Sequence, residues 1–214
     1  MRVDNPQPRS HLSRMTPGDI VLFDTETTGL PAKGQAMNNF THPGAPHLVE
    51  LAGIRLDWEG NELGRVHHIV RPDGFTIPTA ASNVHGITTE IAYQQGADRR
   101  AVLDEFENLL SGAVLVVAHN FSYDRMIMGC VHHRAGMKSC FESLQHMCTK
   151  LALRDVIKMR KASGSGYKWP SLLDAHRKFF DCGFEGAHGA MTDTEALKRV
   201  FLVGRHFCPE VKLT

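Results

Sequence analysis

The sequence predicts an α/β protein built on a mixed sheet: an antiparallel meander opens it, parallel crossovers complete it, and helices cover its faces. Three observations carry this. Two short apolar runs, DIVLFD at 19–24 and Ala113–Ala118, read as buried strands. Leu48–Trp58 and Glu62–Arg71 read as a strand pair, joined by the turn Glu59-Gly60-Asn61. The remaining periodic segments are helical, so the order is strand, hairpin strands, helices, strand, helix, strand, helices.

Residues 1–17 are rich in Pro, Ser and Arg and are expected to form a flexible N-terminal arm, leaving 18–214 as a single domain. The stretch Pro31–His47 is polar, with Pro, Gly and Asn throughout, and is expected to be a surface loop. Helices are expected at Thr88–Gln95, Asp98–Leu110 and Asn120–His133. A last short strand at Gln145–Thr149 precedes helices at about 150–161, 171–180 and 190–206. The Gly/Ser segment Ala162–Gly166 reads as a loop inside the domain.

At 214 residues the chain has the length of one domain, at roughly 100–200 residues per domain, with a sizeable core. Its 42% apolar and 22% charged residues exclude wholesale disorder. The longest apolar run falls far short of the roughly 20 residues a membrane span needs. The polar N-terminus lacks an apolar signal core, so a cytoplasmic location is expected. The 24 basic and 23 acidic residues give a net charge of +1, which excludes nucleic-acid binding by bulk charge alone but allows a basic patch offset by an acidic site. Five cysteines without a C-x-x-C pair fit reduced thiols. Cys130, His132, His133, Cys140, His146 and Cys148 match no regular zinc spacing and read as core cysteines and surface histidines.

The chemistry-bearing residues are carboxylates in costly places. The first strand ends in Phe23-Asp24-Thr25-Glu26-Thr27-Thr28-Gly29-Leu30, and alternation puts Asp24 and Glu26 on one face at the carboxyl end, where open α/β sheets place ligands. Paired carboxylates repel unless a proton or hard divalent cation lies between them; the plainer alternative is two acids facing water. Asp124 interrupts the apolar stripe Phe121, Asp124, Met128, Val131 of a helix. A protonated or hydrogen-bonded Asp, bonded to Asn120 or a backbone amide, is the alternative there. Asp193 interrupts a second stripe, Ala190, Asp193, Leu197, Val200, Phe201, Gly204. His188 precedes it in a glycine-flanked turn, and imidazole is the usual base near neutral pH.

FDTETTGL, AHNFSYD and HGAMTD resemble, in order, the three motifs of the DEDDh, or DnaQ-like, 3′–5′ exonucleases, a family that includes proofreading epsilon subunits of DNA polymerase III, ribonuclease T and oligoribonuclease. The resemblance covers about residues 18–205 and implies a ribonuclease H-like fold with three antiparallel and two parallel strands. It implies two Mg²⁺ or Mn²⁺ ions held by Asp24, Glu26, Asp124 and Asp193. Asp24 would bridge both ions, Glu26 and Asp193 would hold the water-side ion, and Asp124 would support the second. His188 would be the base. Thr27, Gly29 and Leu30 would line the terminal-nucleotide pocket, with Asn120 as a further substrate contact; His85, in the family-like segment Val84-His85-Gly86-Ile87, would make either a structural hydrogen bond or a substrate contact. The implied product is a nucleoside 5′-monophosphate from a 3′ end, with DNA favoured over RNA.

Cys148-Thr149 stands where family members often have Asp-Thr, Tyr123 stands where Phe is frequent, and the loop 31–47 is long for the family. The chain stops soon after its last helix, so no tail tethering a polymerase is expected. Lys150, Arg154, Lys158 and Lys161 would share one side of the helix 150–161, beside Tyr167 and Trp169. That stripe is either a solvated face or a surface for phosphates and a stacked base, with Lys158 and Lys161 as its substrate-binding members. Rival readings are the same chemistry on RNA, a non-catalytic nucleic-acid or polymerase-binding module, and a phosphotransferase using Asp24 as nucleophile.

Overall fold

A computed structural model describes residues 18–207; the expected arm 1–17 and Cys208 lie outside the described residues. Strands β1 (Ile20–Thr27), β2 (Leu48–Leu56), β3 (Glu62–Ile69), β4 (Leu115–Ala118) and β5 (Gln145–Cys148) form one sheet in the order β3-β2-β1-β4-β5. β1, β2 and β3 pair antiparallel, and β4 and β5 run parallel to β1, as predicted. The register Ile20↔Leu115, Val21↔Val116, Leu22↔Val117 makes the two apolar runs direct neighbours.

The two faces of the sheet bury different residues because side chains alternate along each strand. On one face Val21, Phe23, Leu51 and Val116 pack under α3 (Arg99–Leu110) and α4 (Phe121–Ala135). Phe23 is fully buried there, its ring 5.5 Å from Phe106 and 5.3 Å from Phe141. Burying such a side chain is worth about 1.5–3 kcal/mol. On the other face Ile20, Leu22, Ile54 and Val117 pack under α7 (Leu172–Phe180) and α8 (Ala190–Gly204). A smaller cluster of Val49, Ile77, Ala81, Ile87 and Ala92 seats α1 (Thr79–His85) and α2 (Thr89–Gln95) against β2.

The polar residues flanking these segments start the helices. Thr88 accepts from the Ile91 amide, Asp98 from the amides of Arg100 and Ala101, and Ser171 forms a reciprocal capping box with Asp174. The sequence does not predict α1, because so short a segment carries no periodic apolar stripe; among the described residues its one buried side chain is Ala81.

Two expectations are corrected. The helix expected at 150–161 is two single turns, α5 (Thr149–Ala152) and α6 (Arg154–Ile157). Lys158 ends α6 in the left-handed conformation at φ 56°, and a small hairpin follows, with Arg160 bridged to Tyr167 and the Lys168 amide donating to Met159 O. Turn chemistry at Gly164 and Gly166, both at positive φ, overrides the helical periodicity. Lys150, Arg154, Lys158 and Lys161 therefore share no helix face.

The loop 31–47 is not confined to the surface. Phe40 packs against the α3/α4 core, and Ala45 and Pro46 are buried. Gly129 makes room for Phe40: a Cβ there would lie 2.5 Å from the Phe40 ring. Arg134 pins the loop's end, donating to the carbonyls of Ala45 (2.6 Å) and Pro46 (2.9 Å).

Candidate active site

The site forms where β1 emerges from the sheet. Asp24 and Glu26 share the face of Ile20 and Leu22, toward α8; Thr25 faces α4. Thr25 Oγ1 donates to Asp124 Oδ1 at 2.8 Å, tying the buried α4 carboxylate to the strand from the opposite face. Two residues separate β4 from α4, and parallel pairing of β4 with β1 carries Asp124 to the same carboxyl end of the sheet.

α8 contributes Asp193 from its first turn, and the preceding turn contributes His188. His188 is exposed and sits at φ 70°, a conformation uncommon for a residue with a Cβ. Its amide donates to Asp193 Oδ2 at 3.3 Å, which fixes the turn to the helix. Ligand-capable atoms of Glu26, His188 and Asp193 lie within 4.8 Å of one another. Asp193 Oδ1 is sealed from solvent with no hydrogen-bond partner among the described residues.

The electrostatics follow from this crowding. Burial raises the Asp24 pKa well above the usual carboxylate range, and the charges of Asp124, Asp193, Glu26 and Glu50 raise it further. Glu26 is pushed up to about 8 by burial and then by Asp193, Glu50 and Asp124. Asp124 is pushed up to about 7 by burial, against the hydrogen bond from Thr25 and the charge of Lys150. Burial raises Asp193 too, opposed by the hydrogen bond and charge of His188. Such a cluster stays folded with protons or with cations between its oxygens. Hard carboxylate oxygens, and a buried oxygen without a donor, suit a divalent cation such as Mg²⁺ or Mn²⁺.

Two site residues were missed in the sequence. Glu50 on β2 lies opposite Glu26 and is buried. Its Oε2 accepts from the Ala190 amide at 2.9 Å and its Oε1 meets His67 Nε2 at 2.6 Å, so it anchors the first residue of α8 to the sheet. An acid inside the apolar run Leu48–Leu56 was its sequence signal. Lys150, assigned above to the basic stripe, instead donates to Asn120 Oδ1 at 3.3 Å, beside Asp124.

The expected substrate contacts divide. Thr27, Gly29 and Tyr123 form one knot: the Tyr123 hydroxyl lies 2.6 Å from Thr27 Oγ1 and 2.7 Å from Gly29 O. Gly29 adopts φ 144°, which favours glycine, and Leu30 is 86% exposed beside it. His85 closes α1, with its Nδ1 accepting from the Ile87 amide and its ring beside the Thr27 backbone and Glu50. Asn120 stands at the start of α4. Lys158 and Lys161 are exposed in the segment after α6, and neither ammonium has a hydrogen bond or ion pair among the described residues.

Residues 21–201 match the exonuclease family model named for ribonuclease T. The chain belongs to that exonuclease family, with the DnaQ-like DEDDh motif order. Its sequence is 26% identical over 190 residues to a PolC-type DNA polymerase III of Mycoplasma pneumoniae, covering 88% of this chain and 12% of that protein. It is 29% identical over 185 residues to a DNA polymerase III subunit epsilon-like protein of Rhodobacter capsulatus, covering 86% and 23%. The chain thus spans less than a quarter of these relatives' lengths. In structure it is similar to an Escherichia coli ExoI–ssDNA complex in a zinc-bound form (TM-score 0.69, 20% identity, 92% of this chain and 42% of that one). It is also similar to the nuclease domain of 3′hExo, a DEDDh family member bound to rAMP (TM-score 0.68, 12% identity, 92% and 96%). The fold of this exonuclease is accordingly ribonuclease H-like.

Proposed function

We propose that this exonuclease hydrolyses nucleic acid from the 3′ end with divalent cations, releasing nucleoside 5′-monophosphates, and that DNA is its substrate. The observation that carries the reading is the convergence of Asp24, Glu26, Asp124 and Asp193 with His188 at the end of β1. DNA is favoured because the sequence relatives are named as DNA polymerase III proteins, and the same relatives make a polymerase a candidate partner. Two divalent ions bound there would supply Lewis-acid activation of water and neutralise charge at the leaving 3′ oxygen.

The chain's own residues do the rest. The four carboxylates Asp24, Glu26, Asp124 and Asp193 would hold the ions. His188, exposed at the rim, takes the proton from the attacking water. The Thr27–Gly29–Tyr123 knot rigidifies the turn against which the terminal nucleotide sits, and exposed Leu30 offers an apolar surface for its base. Trp169, 56% exposed, and the cations Lys158 and Lys161 are proposed to hold the strand further out.

The test is purified protein with 5′-labelled single-stranded DNA and matching RNA, with Mg²⁺, Mn²⁺ or EDTA. The reading expects a ladder shortening from the 3′ end, mononucleotide 5′-phosphate product, faster loss of DNA than RNA, and silence in EDTA. Preference for the RNA strand would move the substrate to RNA with the chemistry intact. Activity persisting in EDTA would overturn the metal reading.

A further inference from the structure

Away from the carboxylate cluster, a cavity of about 380 Å³ opens between the segment after β3, the start of α3 and the end of α4. Four guanidinium-bearing residues line it, Arg71, Arg99, Arg100 and Arg134, against two carboxylates, Asp73 and Asp98. The formal balance is four positive charges against two negative, a local +2 in a chain whose total is +1.

The acids are already engaged. Asp73 pairs with Arg99 at 3.0 Å, and Asp98 caps α3 by accepting from the amides of Arg100 and Ala101. Arg100 and Arg134 donate to backbone carbonyls, of Ala135 and of Ala45 and Pro46, which occupies some of their N–H groups but cancels no charge. Arg71 is exposed, and its guanidinium has no hydrogen bond or ion pair among the described residues. The crowding is felt nearby: burial, Arg134 and Arg99 together push the His47 pKa down to about 4.

Among the described residues Pro72 and Ala135 are the only apolar ones lining the cavity, which therefore lacks the apolar anchor pocket typical of a protein hot spot. Forked guanidiniums around an open polar cavity match phosphate oxygens. The cavity is also wired to the site. Arg134 holds the Ala45 and Pro46 carbonyls, and the next residue, His47, donates its amide to Thr28 Oγ1 and accepts from the Thr28 amide. Thr28 lies in the turn between Thr27 and Gly29.

We propose that this arginine-lined cavity binds a backbone phosphate of the nucleic-acid strand, upstream of the 3′ end held at the carboxylate cluster. The inference rests on the proposed exonuclease reading and assigns that site a second anchor point. Bound there, a strand is gripped by charge without base readout, so the contact is indifferent to sequence and weakened by salt.

Arg71→Glu tests it, because the Arg71 side chain is exposed and makes no hydrogen bond or ion pair among the described residues. Two substrates are compared: a single-stranded oligonucleotide of about 20 nucleotides and the p-nitrophenyl ester of thymidine 5′-monophosphate, whose only phosphate is the scissile one and which therefore has no upstream backbone phosphate to bind. The expected result is an oligonucleotide KM raised about tenfold, with a shallower salt dependence and the ester KM unchanged. Arg71→Lys should retain most of the oligonucleotide affinity. Fluorescence anisotropy of the labelled oligonucleotide in EDTA should show the same loss of binding without turnover. An unchanged oligonucleotide KM overturns the proposal, as does an equal rise for both substrates. Arg71-dependent binding of a poly-glutamate peptide with unaltered oligonucleotide binding would overturn it in favour of an acidic protein partner. A wild-type protein inactive on both substrates would instead sink the exonuclease reading itself.

Discussion

At Asp193 a helix stripe made for packing carries a half-buried carboxylate, and its Oδ1 is sealed from solvent without a donor among the described residues. Holding a sealed oxygen without a donor costs on the order of a few kcal/mol, which points to a role outside stability. Asp193→Ala is therefore expected to abolish nuclease activity while the cation-free protein unfolds at an equal or higher urea concentration; an inactive variant that is also unfolded would make Asp193 structural. His188→Ala should lower kcat by roughly 10²–10⁴-fold, the range for losing a positioned base, yet keep Mn²⁺ binding in calorimetry. Loss of Mn²⁺ binding would make the imidazole a ligand, as its proximity to Glu26 and Asp193 also permits. Glu50→Ala should cost about 1–3 kcal/mol in urea unfolding, because it strips the Ala190 amide and His67 of their partner. Asp124 and Asp193 were legible because each breaks an apolar stripe, and Asp24 and Glu26 because alternation pairs them on one face at a strand end. Glu50 breaks an apolar run too, but its partners lie 17 and 140 residues away, and no local spacing reveals them.

At the scale of elements, periodicity worked where tertiary packing agreed with it. β1 and β4 were legible as continuous apolar runs because both of their faces are covered. The helix expected at 150–161 failed because apolar spacing cannot register a left-handed residue at Lys158 or the hairpin after it. The loop 31–47 looked too polar to matter to the core, yet one aromatic, Phe40, docks it on α4 through the gap at Gly129. Gly129→Ala tests that docking. Although alanine is the better helix former, its methyl would collide with the Phe40 ring, and a net loss of about 1–3 kcal/mol in urea unfolding is expected. A gain in stability would mean that the loop rides on α4 without being fixed by it.

For the molecule as a whole, the crowded carboxylates of the site and two desolvated histidines give stability opposite slopes with pH. His47 and His119, both held near 4 mainly by burial, stay neutral in the folded chain while the unfolded chain takes up protons, so stability rises with pH up to about 6.5. Glu26, raised to about 8, and Asp124, raised to about 7, keep protons that the unfolded chain has already lost, so above the histidine window stability falls with pH until about 8. Between about pH 6.5 and 8 the melting temperature of the EDTA-treated protein should therefore decline, and Mn²⁺ should abolish the decline by taking the protons' place. A flat profile in EDTA would mean that the cluster is not proton-loaded.

Calorimetric titration of Mn²⁺ into the wild-type protein and Asp193→Ala at pH 7, each in two buffers of different ionisation enthalpy, bears most directly on the claim that these carboxylates form a cation site. The structure predicts saturable binding by the wild type with net release of protons from the cluster, and affinity at least tenfold weaker in the variant. Equal affinity in the two proteins, or no binding by the wild type, would contradict it.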